Sequence, residues 1–150
     1  MKTLAFDLDG KSGLDQFLSR RWIMKYLGLK VGEPNLKLYS SMNPRTAERY
    51  RGLPQIPVRV WHTTNGWHLE IDLDNEIDNI KAILMQSLLG SDYRREMCLL
   101  QRLERGCNDW NNLYREKHKV NELGQTIRVS FEKFDKQLSE QILDLLELGQ

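Results

Sequence analysis

Apolar and polar residues alternate in three clear stretches of the chain. In 67–74, Trp67, Leu69, Ile71 and Leu73 fall on one side, and His68, Glu70, Asp72 and Asp74 on the other. In 3–9, Leu4, Phe6 and Leu8 oppose Ala5, Asp7 and Asp9. In 126–134, Ile127, Val129 and Phe131 oppose Arg128, Ser130 and Glu132. Residues 58–63 read as a further strand, joined to 67–73 through Asn65-Gly66, a hairpin-turn signal. Residues 36–40 fit a short strand. The spacing changes to helical over 14–27, 76–89, 92–105 and 135–148, the last with a stripe at Leu138, Ile142, Leu145 and Leu146. Gly28, Gly90 and Gly106 stop the first three helices. The stretch 42–57 holds three prolines and reads as a connection with one helical turn at 45–50. Residues 111–118 fit a strand or a loop.

This order predicts an α+β fold with a β-α-β-β-α-β core, of the ferredoxin-like or RNA-recognition-motif type. One mainly antiparallel sheet would carry helices on one face, with extra helices around it. With 150 residues, a single domain is expected over 1–150, its core at about 3–134 and a C-terminal helix at 135–148. The apolar sides of the strands meet the helices, so the opposite sides share an open face. That face would carry Asp7, Asp9, His68, Glu70, Asp72, Arg128, Ser130 and Glu132, with Arg59 and Trp61 from the hairpin strand.

Composition narrows the class. Hydrophobic residues make up 40% and charged residues 29%, which suits a globular chain. The net charge of +1 carries no argument for nucleic acid or membrane, so local clusters must. The two cysteines, Cys98 and Cys107, are too few for a thiolate zinc site and read as reduced. The N-terminus has acids where a signal peptide needs an apolar run, and no stretch is apolar enough for a membrane span. A cytoplasmic protein is expected, in the host cytoplasm if viral.

The polar face carries the chemistry. Asp7 and Asp9 are two apart on a strand, so both carboxylates point the same way and repel unless a cation lies between them. Hard cations such as Mg2+ or Mn2+ take carboxylate oxygens. With His68 on a neighbouring strand, the set suits metal-assisted phosphoryl transfer. The alternative is a solvated strand face.

"FDLD" (6–9) and "TTNGWH" (63–68) resemble, in order, the first two motifs of archaeo-eukaryotic primases: two aspartates flanking an apolar residue, then a small hydroxyl residue, a glycine turn and an aromatic before a histidine. "GSDYRREMCLLQRLERG" followed by "WNNLYREK" resembles a segment of small primase-like proteins of archaeal viruses and plasmids, with Asp92, Arg95, Arg102, Asn111, Leu113, Tyr114 and Lys117 matching. Thr63 and Thr64 stand where serine is usual, and Leu99 where an aspartate is frequent. The resemblance implies metal-dependent nucleotidyl transfer in replication. Asp7 and Asp9 would hold the metal, and His68 would contact a nucleotide phosphate. It leaves the third metal-binding carboxylate open, with "FD" at 134–135 as one candidate.

Nucleic acid and nucleoside triphosphates are the expected partners, with Arg59, Trp61, Arg95, Arg102, Lys117 and Arg128 as candidate nucleic-acid contacts. Two other classes stand beside this: a catalytically silent nucleic-acid-binding module of the same fold, and an accessory protein that oligomerises through its helices. "LAFDLDGK" also resembles the haloacid-dehalogenase-type phosphatase motif. Lys11 stands where that motif has threonine or valine, and its parallel sheet conflicts with the hairpin at 58–73.

Overall fold

The computed structural model describes residues 1–108, 110, 111, 113 and 116–148, with backbone alone for 116–119, 127–130 and 148. The chain runs β1 (Thr3–Asp9), α1 (Gly10–Arg20), α2 (Trp22–Tyr26), α3 (Leu36–Tyr39), α4 (Pro44–Tyr50), β2 (Val58–His62), β3 (Gly66–Asp72), α5 (Asn79–Leu88), α6 (Tyr93–Glu104), β4 (Glu116–Val120), β5 (Thr126–Ser130), β6 (Lys133–Phe134) and α7 (Lys136–Leu148). β1, β3, β2 and β6 form one antiparallel sheet in that order, and β4 and β5 pair as a separate hairpin. No described helix is long and apolar enough to cross a membrane.

The alternation read from the sequence sets the sheet's two faces. Leu4, Phe6, Leu8, Val58, Val60, Leu69 and Ile71 are fully buried on one of them. They join Phe17 of α1, Met85 of α5 and Ile142 of α7 in one core, with Phe6 and Phe17 in edge-to-face contact at 5.4 Å. The register places Asp7 opposite His68, His68 opposite Trp61, and Glu70 between Ala5 and Arg59, all on the other face.

Three expectations are corrected. The last main-sheet strand pairs with β2, leaving β1 at an edge, whereas the ferredoxin-like order returns the last strand beside the first. Residues 36–40 are not a strand, since α3 occupies 36–39. The predicted strand at 126–134 divides: β5 pairs with β4, and only Lys133 and Phe134 reach the main sheet. Phe131 consequently leaves the core face and lies against the His68 ring at 6.2 Å, on the polar side.

The edge position of β1 exposes a row of backbone groups that must be satisfied. Gln86 of α5 accepts from Ala5 N–H, Arg95 of α6 donates to Ala5 C=O, Ser91 accepts from Asp7 N–H, and the Asp92 N–H donates to Asp7 C=O. This polar seam replaces a neighbouring strand. It also brings the start of α6 to the end of β1.

Candidate metal centre

The polar face of the sheet is largely interior. Arg59 is 0% exposed and Asp72 is buried beside it. The Arg59 guanidinium donates to both oxygens of Asp72, at 2.7 and 2.9 Å, and to Glu70 at 3.1 Å. Arg49 of α4 reaches over the sheet to Glu70 at 2.6 Å and Glu132 at 2.8 Å, and Tyr50 O–H donates to Glu70. Asn35 bonds Asp72 and Thr3. Helices α3 and α4 therefore cover the face expected to be open, and the cations and carboxylates there satisfy one another. Burial alone would raise Glu70, but Arg49, Arg59 and Tyr50 outweigh it and hold its carboxyl at about 2.

This ionic layer accounts for several residues read as nucleic-acid contacts. Arg59 is consumed by Glu70 and Asp72. Trp61 is 3% exposed, with the Arg49 guanidinium 3.8 Å from its ring centre and Phe134 on its edge. Arg95 is held by Ala5 C=O, Glu96 and Asn111. These three are structural pieces in this arrangement. Arg102 is exposed on α6. The side chains of Lys117 and Arg128 lie outside the described residues, as does Tyr114.

At the Asp9 end of β1 the layer opens. Asp7, Asp9 and Asp92 each bring a carboxylate oxygen within 4.8 Å of the others. Three pieces of local structure place them. β1 sets Asp7 and Asp9 on one side. Gly10, at φ +63°, turns the chain sharply into α1, a conformation that glycine adopts without strain. Gly66, opposite Asp9, lets the strands close up, since a Cβ there would sit 2.0 Å from Leu8 O. Asp92 caps α6, accepting from the Arg94 N–H at 3.0 Å. Asp9 occupies the cap position of α1 but makes no side-chain capping bond, so its carboxylate is turned to the cluster rather than to the helix.

The electrostatics fit a cation. Burial raises Asp7 above the usual range, with His68 and Arg95 opposing and Asp92 reinforcing. Burial, Asp7 and Asp92 together raise Asp9. Burial also pushes on Asp92, but hydrogen bonds from Arg94 and Asp9 bring it below the ordinary value. The three carboxylates crowd one another, and a hard cation among them would relieve that repulsion. The donor set, oxygen only, suits Mg2+ or Mn2+.

His68 is 2% exposed. Its Nδ1 lies 2.6 Å from Glu132, and its Nε2 lies 3.7 Å from Asp7 Oδ1. Burial raises Glu132, but bonds from His68 and Arg49 hold it below its ordinary value. The carboxylate is therefore an acceptor, Nδ1 carries the hydrogen, and Nε2 faces Asp7. The phosphate contact expected of His68 needs an exposed ring nitrogen, which this arrangement does not offer. The ring lies beside Asp7 without a hydrogen bond to it.

Two groups of the cluster are not assigned to it by the sequence, which gives Asp92 only as a match to the resembling segment. Asp92 supplies the third carboxylate of the cluster, whereas Asp135, the candidate from "FD", caps α7 and bonds His62 at 2.6 Å. Its signal was Gly90-Ser91-Asp92 before a helix, which marks a cap but not its distance from β1. Arg94, 72% exposed, places its guanidinium 4.0 Å from Asp9 and 3.5 Å from Asp92, at the open side of the cluster. No family model, curated protein or solved structure matches the chain.

Proposed function

We propose that the chain is a primase-like protein of a mobile element that binds a divalent cation and a nucleoside triphosphate, and that its reaction class is nucleotidyl transfer. The observation that carries this reading is the convergence of Asp7, Asp9 and Asp92 at the open end of an otherwise closed ionic layer, with Arg94 beside it. The two aspartates and the histidine of the resembling motifs meet there, 3.7 Å apart at Asp7 and His68.

Asp7, Asp9 and Asp92 would hold Mg2+ or Mn2+, which supplies charge neutralisation for triphosphate oxygens. The chain's own contribution is the rest. Glu132 orients His68, whose ring packs beside Asp7, and the cap of α6 fixes Asp92. Arg94, free to swing on an exposed stem, reaches phosphate oxygens at the rim.

The test is calorimetric titration with Mn2+, alone and with a nonhydrolysable triphosphate, followed by a primer-synthesis assay. Weak binding of the bare ion, about millimolar, should tighten with the nucleotide, because the triphosphate adds oxygen ligands. Absence of nucleotide-linked metal binding sinks the reading. The near-complete burial of His68 favours a second one, a catalytically silent binding module with the same fold. Metal binding without product in the primer-synthesis assay would select it.

A further inference from the structure

Arg59 and Trp61, expected as nucleic-acid contacts on the sheet, are buried, yet a second basic and aromatic cluster stands elsewhere. Residues 19–30, "SRRWIMKYLGLK", hold four cations and no acid, in a chain whose net charge is +1. Arg20, Arg21 and Lys25 lie at the end of α1 remote from Asp9 and on α2, and Lys30 follows α2; the eleven residues of α1 span about 16 Å. Arg20, Lys25 and Lys30 are exposed, and Arg21 is half-buried. Arg20 and Arg21 are each tethered through one guanidinium nitrogen, to the carbonyls of Leu88 and Leu18. Among the described residues, none of the four makes an ion pair.

Trp22 is 60% exposed and Tyr26 is 79% exposed. Their rings meet edge to face at 6.2 Å, which leaves ring faces open for stacking. Beside them lies a cavity of about 410 Å³, walled by Trp22, Met24, Lys25, Leu29, Leu145 and Leu146. Met24 and Leu29 are buried, so the outward side of this segment is mainly aromatic and cationic, with Leu27 as its exposed aliphatic residue.

We propose that the α1–α2 surface binds single-stranded nucleic acid, with bases stacking on Trp22 and Tyr26 and phosphates on Arg20, Arg21, Lys25 and Lys30. Uncompensated cations want an anion, and exposed flat rings want a flat apolar partner; a single strand supplies both in alternation. An anionic membrane would engage the same cations. However, α2 has only five residues and buries Met24, which leaves too short an apolar face for insertion between lipids. The inference stands apart from the acidic cluster and holds whether or not that cluster binds metal.

The experiment is fluorescence anisotropy of a labelled oligothymidylate with the full chain, in EDTA so that the acidic cluster takes no part, over a salt series. Wild type should bind at low salt. Trp22→Ala with Tyr26→Ala should weaken binding roughly 5- to 150-fold, the loss of one stacked base or more. Lys25→Gln with Lys30→Gln should lower the slope of log affinity against log salt by about 1.4, two phosphate contacts on a single strand. Both lysines are exposed, so that pair decides the matter even if the aromatic pair fails to fold. No binding at low salt, unchanged affinity in the aromatic pair variant with an unchanged salt slope in the lysine pair variant, or binding to phosphatidylserine vesicles without binding to the oligonucleotide would each overturn the proposal.

Discussion

The imidazole Nδ1 of His68 lies 2.6 Å from Oε2 of Glu132, in the buried layer that backs the acidic cluster. Glu132 also takes two bonds from Arg49, so a single carboxylate ties α4 to the ring that faces Asp7. Glu132→Gln keeps the shape and removes the charge. It should cost about 1–3 kcal/mol in urea unfolding, because buried donors lose their charged acceptor. It should also weaken Mn2+ binding about tenfold by loosening His68 and hence Asp7. Unchanged Mn2+ affinity in a folded variant would show that His68 does not position Asp7.

Glu70 makes the acid sensitivity of the fold predictable. Its carboxyl is held at about 2 against an ordinary value of 4.5, because Arg49 and Arg59 overcome the effect of burial. The folded value is the lower one. Its stabilisation is therefore complete above about pH 4.5 and lost as the pH falls toward 2. The shift corresponds to about 3 kcal/mol at neutral pH. Glu70→Gln should be less stable than wild type at pH 7 and should lose less on acidification through that window. Urea midpoints measured from pH 7 to pH 2 check this, and parallel curves for the two proteins would refute it.

Arg59 separates a structural role from a nucleic-acid role. Its side chain is fully buried, with Asp72 at 2.7 Å and Glu70 at 3.1 Å. Arg59→Ala strands two buried carboxylates and should cost about 3–5 kcal/mol. Arg59→Ala with Asp72→Ala should cost less than the sum of the two single changes, since the second removes a charge that the first left unpaired. Additive losses in thermal unfolding would show that the pair is not coupled. Lost oligonucleotide binding at full stability would return Arg59 to the list of nucleic-acid contacts.

These residues also show how far the sequence could be read. Period-2 alternation placed Leu4, Phe6, Leu69 and Ile71 on one side and Asp7, His68 and Glu70 on the other, because a strand's side chains have no third direction. What alternation cannot say is what lies over a face. Arg59, Glu70 and Asp72 were read as facing outward, yet Arg49 and Tyr50 close over them from a stretch read as a connection. Polar character misled there, since mutually satisfied charges bury as a set. Trp61 gave no sign of whether its ring stacks on a base or lies under an arginine. In 126–134 the alternation was genuine. The pairing partner was not readable, because a β4–β5 hairpin satisfies the same pattern as a place in the main sheet. Asp92 lay 83 residues from Asp9 in sequence, and only the seam along the edge of β1 brings them together.

Asp9 and Asp92 differ in what holds them, and paired substitutions can separate charge from structure. Asp9 is raised above its ordinary value by burial, Asp7 and Asp92, so in the folded protein its ionisation is opposed. A raised carboxyl stabilises the fold only below that value, and at pH 7 its charge is unfavourable. Asp9→Asn should therefore raise Tm without metal, by about 1–3 °C given its partial exposure. Asp92 has a second duty as the cap of α6, where its oxygen accepts the Arg94 N–H. Asparagine caps nearly as well as aspartate and alanine does not, so Asp92→Ala should cost about 1 kcal/mol while Asp92→Asn stays close to wild type. If the three carboxylates share a cation, both asparagine variants should lose the Tm increase that Mn2+ gives wild type, since an ion bound only by the folded state stabilises it by mass action. Thermal unfolding of the four proteins with and without Mn2+ reads all of this at once. An Mn2+ response that survives in Asp92→Asn would remove Asp92 from the centre and leave it as a helix cap alone.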